Sequence, residues 1–211
     1  MFSSYTAAAF ARKYALADHF KVNLIGVVSW AFKFEDQPWF HGFRDLATND
    51  VDKPVLNVFR MYGKMTGKRL EGKGNQPSTF LQVKDSSVRR KSDIDALATT
   101  DKNTAAVMVW HYHDDDTIAP AAPVEIRVKG ILSKKVGVKH YRIDSVHSNS
   151  YEAWKKMGSP QQPTAAQIKT LGKGGKLQEL AKSKKIQTLK GEAIIQFMLP
   201  RQVVSLVQLF W

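Results

Sequence analysis

One stretch governs the architecture predicted for the first third of the chain: Val22-Asn23-Leu24-Ile25-Gly26-Val27-Val28-Ser29-Trp30. Its centre, Leu24–Val28, is continuously apolar and rich in β-branched residues, with no alternation of apolar and polar residues. This pattern predicts a strand that is buried on both faces, as strands are in a parallel sheet.

The flanks of this strand extend the prediction. Ser3 or Ser4 can cap a first helix that runs to about Phe20. A long loop of aromatic and acidic residues follows the strand, and loops of this length are uncommon unless they are functional. Pro54 suits the first turn of a second helix that ends near Gly67. The order helix, buried strand, loop, helix predicts part of an α/β barrel, whose active site lies at the C-terminal ends of the strands.

After Gly67 the pattern changes to short β-like segments separated by Gly and Pro turns, which predicts antiparallel sheets. We expect an α+β fold: a partial (β/α)8 barrel remnant in residues 1–68, then an antiparallel β-sandwich with a short helical insertion in residues 69–211. The strands are expected at 79–83, 105–112, 124–128, 136–143, 193–199 and 203–211, and the inserted helices at 151–157 and 164–171.

The composition excludes several classes of protein. An apolar content of 43%, with five Trp, eleven Phe and six Tyr, is too high for a disordered chain. No apolar run approaches the roughly 20 residues that cross a bilayer, and no export signal is evident, so we expect no membrane partner. The absence of cysteine excludes disulfides and thiolate metal sites.

The net charge of +13 has two interpretations. A basic surface attracts polyanions, nucleic acid among them. Alternatively, the exposed faces are simply rich in lysine. Because the lysines are scattered and no recognition helix or RNA-binding motif accompanies them, we prefer the second interpretation and expect no nucleic-acid partner.

Long strings of sequence carry a more specific signal. Residues 30–49, beginning Trp30-Ala31-Phe32-Lys33-Phe34-Glu35-Asp36, resemble the last barrel strand and the following loop of family 39 β-xylosidases. Asp52–Met61 resembles the start of the last barrel helix in that family. Residues 109–116, 140–151 and 199–206 resemble its accessory sandwich, so the resemblance covers nearly the whole chain.

The resemblance implies a retaining mechanism, in which one glutamate protonates the leaving sugar and a second attacks the anomeric carbon. In the family both glutamates lie on barrel strands that would precede Met1, and the acid/base glutamate usually follows an asparagine. No Asn-Glu pair occurs in this sequence. We therefore expect no catalytic residue among its six glutamates, which are Glu35, Glu71, Glu125, Glu152, Glu179 and Glu192.

The size of the fold leads to the same expectation. A (β/α)8 barrel usually takes about 250 residues, and only residues 1–68 are available here. Our hypothesis is that the native product is longer, truncated or split, with a missing N-terminal barrel segment as a partner. The implied function is part of an enzyme that releases terminal xylose from β-1,4-xylo-oligosaccharides, with the chain inactive alone.

Trp30, Glu35 and Asp36 are the predicted substrate-binding residues. At the end of a barrel strand, an aromatic ring offers a platform for a sugar and carboxylates accept hydrogen bonds from its hydroxyl groups. The alternative is that Trp30 belongs to the core and that the acidic pair is merely solvated. No cofactor is expected.

His111, His113 and the run Asp114-Asp115-Asp116 form a cluster that could be interpreted as a metal site. Since spacing places no third histidine, we favour an Asp-rich turn and predict no metal. The run Gly172-Lys173-Gly174-Gly175-Lys176 lacks the spacing of a phosphate-binding loop and is interpreted as a flexible turn.

Two other functions stay open. The charge favours a non-catalytic carbohydrate- or polyanion-binding module. A degraded gene product would have no function at all.

Overall fold

The computed structural model of this protein describes residues 2–27, 37–42, 45–72, 74 and 78–211. No helix within these ranges is both long and apolar enough to cross a lipid bilayer.

The helices begin where the local sequence satisfies the first backbone N–H groups. The hydroxyl groups of Thr79 and Thr164 accept hydrogen bonds from the backbone N–H groups of Gln82 and Gln167, three residues further on. The side-chain oxygens of these glutamines accept in turn from the backbone N–H groups of the two threonines, which completes a capping box at each helix. Pro54 occupies the first turn of its helix, where a missing N–H costs nothing. The helices are α1 (Phe2–His19), α2 (Pro54–Gly63), α3 (Phe80–Ser86), α4 (Ser150–Lys156) and α5 (Ala165–Gly175).

Strand pairing in the described chain is antiparallel throughout. The largest sheet has seven strands in the order β3-β4-β5-β11-β7-β8, with β9 also paired to β7, while β6 pairs with β10 and β1 with β2. The strands are β1 (Ala47–Thr48), β2 (Val51–Asp52), β3 (Lys68–Leu70), β4 (Asp93–Asp101), β5 (Thr104–Tyr112), β6 (Ala122–Lys129), β7 (Lys135–Ile143), β8 (Gln178–Glu179), β9 (Lys184–Gln187), β10 (Glu192–Leu199) and β11 (Val204–Phe210).

The seven-stranded sheet is covered on both faces. Met108 and Trp110 of β5 pack with apolar residues of α1 and α2. Val107 and Val109, which point to the other face, pack with apolar residues of β6 and β10. This double coverage explains why β5 is buried along almost its whole length.

Much of the predicted second half is confirmed. The strands expected at 105–112, 124–128, 136–143, 193–199 and 203–211 are present, with ends that differ by at most two residues. Both inserted helices are present as well. The expectation of a mixed fold with antiparallel sheets is therefore correct.

The prediction of a strand at Leu24–Val28 is wrong for residues 24–27, which are the part of it that the structure describes. Residues 22–27 have no regular secondary structure, and the side chain of Ile25 is 92% exposed. Val28 lies outside the described residues. A doubly buried strand needs partners for its backbone groups on both edges, and no described strand runs beside this segment.

Two other local predictions are wrong. The expected strand at 79–83 is helical, since the Thr79 capping box starts α3 there. The glycine-rich run expected to be a turn continues α5 as far as Gly175, where a Cβ would lie 2.6 Å from the backbone oxygen of Asp52. The glycine there permits close packing of a helix on β2.

A buried carboxylate joins α1 to the sheet. Asp93, which is 1% exposed, accepts a hydrogen bond from Trp110 Nε1 at 2.8 Å and another from the backbone N–H of Ser78 at 2.9 Å. Arg12 of α1 approaches the same carboxylate at 2.6 Å, although its N–H is not aligned for a hydrogen bond, so the contact is an ion pair. Charge, indole and backbone donor thus converge on one side chain.

We expect Asp93→Ala to lower the free energy of unfolding by about 3–5 kcal/mol, because it leaves Trp110 Nε1 and the Arg12 guanidinium without their partner. Chemical denaturation measures the loss. Asp101→Ala, at the exposed end of the same strand, is the matched control and should change stability by less than about 0.5 kcal/mol. Equal effects of the two substitutions would contradict this role of Asp93.

His140 of β7 is a second buried titratable group. Its ring lies 4.7 Å from the ring of Phe197, and its Nε2 has no hydrogen-bond partner in the described chain. Burial, with added repulsion from Arg142 and Lys184, lowers the pKa of His140 to about 4. Between this value and the unfolded pKa of about 6.5, the unfolded chain binds more protons, so stability falls as the pH falls.

Replacing His140 with Leu should therefore flatten the pH dependence of stability between about pH 6.5 and pH 4, by up to about 3 kcal/mol across that window. Denaturant unfolding at several pH values measures the change. His19→Leu, which removes an exposed histidine at the end of α1, should leave the slope intact. If both variants keep the wild-type slope, His140 is not the titrating group.

Candidate functional site

The three predicted substrate-binding residues, Trp30, Glu35 and Asp36, lie outside the described residues. The described chain resumes at Gln37, one residue after Asp36 and seven after Trp30, and described residues between there and α2 form one side of a cleft. The geometry of the candidate site is therefore built from this cleft.

The cleft has a volume of about 570 Å³ and brings together residues that are far apart in the sequence. Its walls come from the loop before α2, the first turn of α1, the N-terminal half of α4, and the turns that follow β7 and β10. Its acidic residues are Asp45, Asp116, Asp144 and Glu152, and its basic residues are Lys53, Lys155 and Arg201.

An aromatic cluster holds the loop against the helical insertion. The ring of Phe40 lies 5.0 Å from that of Trp154 and 5.5 Å from that of Tyr151. Trp39 is buried in the same cluster beside Leu171 of α5. Tyr151 stays 41% exposed in the cleft, where it could contact a sugar ring, and Lys155 lies 5.0 Å from its ring centroid.

Lys53 fixes the backbone at the rim of the cleft. Although it is only 6% exposed, its Nζ donates to the carbonyl oxygens of His41 at 2.7 Å and Gly42 at 3.0 Å. Asp45 lies 3.7 Å away. Burial lowers the pKa of Lys53 and the attraction of Asp45 opposes that effect. Gly42 has φ +74°, and a Cβ there would lie 2.7 Å from Asp45, so the turn requires glycine.

Two of the cleft carboxylates, Asp144 and Glu152, are engaged by hydrogen-bond donors or an ion pair. Asp144 accepts from the backbone N–H groups of Val146 and His147, both at 2.7 Å, and from the ring of His147 at 3.0 Å. Burial alone would raise the pKa of Asp144, but these hydrogen bonds outweigh it and lower the pKa. Glu152 forms an ion pair with Lys155 at 2.6 Å. Such groups suit the binding of hydroxyl groups better than proton transfer.

Gln202, in the turn after β10, links that wall of the cleft to α1 and to the segment that follows β5. Its Oε1 accepts from the hydroxyl group of Ser4 in α1 at 2.8 Å, and its Nε2 donates to the carbonyl oxygen of His113 at 2.7 Å. The neighbouring Arg201 donates to the carbonyl oxygen of Thr117 at 3.0 Å. These contacts tie the turn after β10 to two other parts of the chain.

The histidine cluster is occupied by backbone contacts. His111 Nδ1 lies 3.0 Å from the carbonyl oxygen of Leu199, and burial lowers the pKa of His111. His113 Nδ1 accepts from the backbone N–H of Asp115 at 3.0 Å, which places its proton on Nε2, facing the carbonyl oxygen of Arg89 at 2.9 Å. Among the residues with described positions, no three potential ligands are grouped around a metal-sized space.

Sequence analysis missed most of the residues that line the cleft. Phe40 and Asp45 lie in the loop whose length was the sequence signal for function, and both line the cleft. Tyr151, Glu152 and Arg201 had no such signal, because they reach the cleft only through tertiary contacts.

The sequence model described as glycosyl hydrolases family 39 matches residues 4–187. A β-xylosidase of Caldicellulosiruptor saccharolyticus is 24% identical over 143 residues, which is 67% of this chain and 26% of that protein.

Two solved structures share the fold. A monomeric β-xylosidase from Caulobacter crescentus CB15 superposes with a TM-score of 0.62 at 16% identity, covering 79% of this chain and 32% of that one. The family 39 enzyme from Xanthomonas axonopodis pv. citri gives 0.65 at 15% identity, covering 82% and 33%. The chain thus spans about a third of the length of these enzymes. Because the family model matches most of its residues, the chain belongs to glycosyl hydrolase family 39.

Proposed function

We propose that this chain is the C-terminal part of a retaining glycoside hydrolase that releases terminal xylose from β-1,4-xylo-oligosaccharides, and that it is inactive alone. The observation that carries the proposal is the family match over residues 4–187 in a sequence without an Asn-Glu pair. The β-xylosidase names of the similar proteins support the choice of substrate.

In this proposal residues 1–68 are the end of the catalytic barrel and residues 69–211 are the accessory β-sandwich. The packing supports the division. The β6–β10 pair lies across a shared apolar cluster from the seven-stranded sheet, as the two layers of a sandwich do. The helices α1 and α2 cover the opposite face of that sheet.

Trp30, Glu35 and Asp36 would form the floor of the sugar subsite. Support comes from their place in the chain, since all three lie within the seven residues before Gln37, where the described loop on one side of the cleft begins. The Lys53 contacts tie the backbone of His41 and Gly42 to the start of α2, and a binding site needs such support from its neighbouring residues.

The cleft carboxylates do not replace the missing glutamates. A retaining pair needs two carboxyl groups about 5–5.5 Å apart, one of which holds a proton at working pH. Glu152, the one described glutamate in the cleft, is paired with Lys155. The hydrogen bonds to Asp144 favour its charged form, so Asp144 is a poor proton donor.

We expect the purified chain to release no nitrophenol from p-nitrophenyl β-D-xyloside above the rate without protein, because it lacks both reactive glutamates. Absorbance measures the release, with the Caulobacter crescentus β-xylosidase as positive control. Turnover that disappears in Glu35→Gln or Glu152→Gln would show that this chain carries its own catalytic carboxylate and would overturn the proposal.

We also expect Trp30→Ala to weaken binding of xylobiose by about tenfold or more, since it removes the aromatic platform. Glu35→Gln and Asp36→Asn should weaken binding by a similar factor, because each loses a charge-assisted hydrogen bond. Ligand-observed NMR titration measures the affinities.

Trp211→Phe, remote from this loop in the sequence, is the control and should bind as the wild type does. Trp30→Phe keeps a ring and should retain most of the affinity. The subsite assignment fails if Trp30→Ala binds xylobiose as tightly as the unmodified chain.

A further inference from the structure

Two loops meet at one end of the antiparallel sheets. One connects β6 to β7 and the other connects β9 to β10, so both cross between the two layers. The backbone N–H of Ile131 donates to Gly191 at 3.0 Å, and that of Thr188 donates to Lys134 at 3.0 Å. The loops therefore form one unit, which with the adjacent strand residues we call the basic tip (residues 129–135 and 182–191).

The basic tip carries two exposed aliphatic side chains. Leu132 is 98% exposed and Leu189 is 74% exposed. Single exposed apolar residues are ordinary on protein surfaces. Here the two exposed leucines lie on loops that are hydrogen-bonded to each other, so both belong to one structural unit. Neither leucine is covered by any described part of the chain.

Lysines flank these leucines on the two loops and continue away from them along β9. Residues 129–142 and 181–191 contain no Asp or Glu, and the nearest acid after them, Glu192, lies 3.7 Å from Arg127. Within the described chain none of the tip lysines forms an ion pair. The exposed lysines are Lys129, Lys134, Lys135, Lys182, Lys184, Lys185 and Lys190.

We propose that the basic tip docks on an anionic lipid surface. Leu132 and Leu189 enter the boundary between headgroups and acyl chains, while the lysines bind the anionic headgroups and keep their alkyl stems along the apolar layer. The expectation of no membrane partner rested on the lack of a spanning segment, and docking on a surface requires none.

The composition of the tip favours lipid over other polyanions. Sites for single-stranded nucleic acid combine basic residues with aromatic rings that stack on bases, and the tip contains no aromatic residue. It also contains no arginine, the residue suited to bidentate recognition of phosphate. An acidic polysaccharide would engage the lysines but would leave the two leucines in water.

Cosedimentation with vesicles tests the proposal. We expect the chain to bind vesicles of phosphatidylcholine mixed with phosphatidylserine, to bind those of phosphatidylcholine alone far more weakly, and to dissociate as salt is raised. Leu132→Ser combined with Leu189→Ser should lower the apparent affinity by about tenfold or more, since both side chains are exposed in the free protein.

The triple variant Lys134→Ser, Lys135→Ser, Lys190→Ser should lower the affinity by at least about tenfold as well. Matched controls lie elsewhere on the surface. Ile118→Ser removes an aliphatic side chain that is 104% exposed, and Lys169→Ser with Lys173→Ser removes two exposed charges of α5. Neither control should change vesicle binding by more than about twofold.

Three results would overturn the proposal. One is the absence of binding to anionic vesicles. Another is binding that depends on the lysines but not on the leucines, together with retention on heparin, which would identify a polyanion site. The last is self-association without lipid that the leucine variant abolishes, measured by light scattering, which would make a second copy of this chain the occupant.

Discussion

The ion pair and hydrogen bonds around Asp93 are the constraint on which the arrangement of the two halves depends. A carboxylate that is 1% exposed is costly unless it is paired and hydrogen-bonded. Its ion-pair partner comes from α1, and its hydrogen-bond donors come from the chain before α3 and from the central strand β5. Because Trp110 is itself fully buried, its indole orients the carboxylate from inside the core. The predicted barrel and sandwich segments are therefore bound to each other through a shared polar centre as well as through apolar packing.

The loop before α2 depends on a different contact. Its described aromatic residues, Trp39 and Phe40, lie against α4 and α5, the helices inserted between β7 and β8. Lys53 then fixes the rim of the cleft by donating hydrogen bonds to the backbone carbonyl oxygens of His41 and Gly42. This arrangement gives the helical insertion a role that its sequence did not indicate, namely to position the loop that lies next to the predicted sugar contacts.

The positive charge is distributed less evenly over the folded surface than along the sequence. Lysines that are scattered in the sequence are brought together at one end of the sheets, because β7 and β9 pair antiparallel and the loops that extend them are hydrogen-bonded. A count of charges by segment cannot detect such a surface, since residues 129–135 and 182–191 are far apart in the chain.

The sequence by itself determined the family and those elements whose signals are local. Strands with clear runs of apolar residues, and the start of the helix that begins at Pro54, were predicted to within a few residues, because periodicity and local helix-start signals act over one or two turns. Only the tertiary structure decided the rest. The run at Leu24 is apolar enough for a buried strand but has no described strand paired with it. In contrast, β4 contains three aspartates yet forms a strand, because it pairs with β3 and β5 and Trp110 donates a hydrogen bond to the buried Asp93. The cleft joins Lys53, Glu152 and Arg201 through long-range packing, which no local pattern encodes.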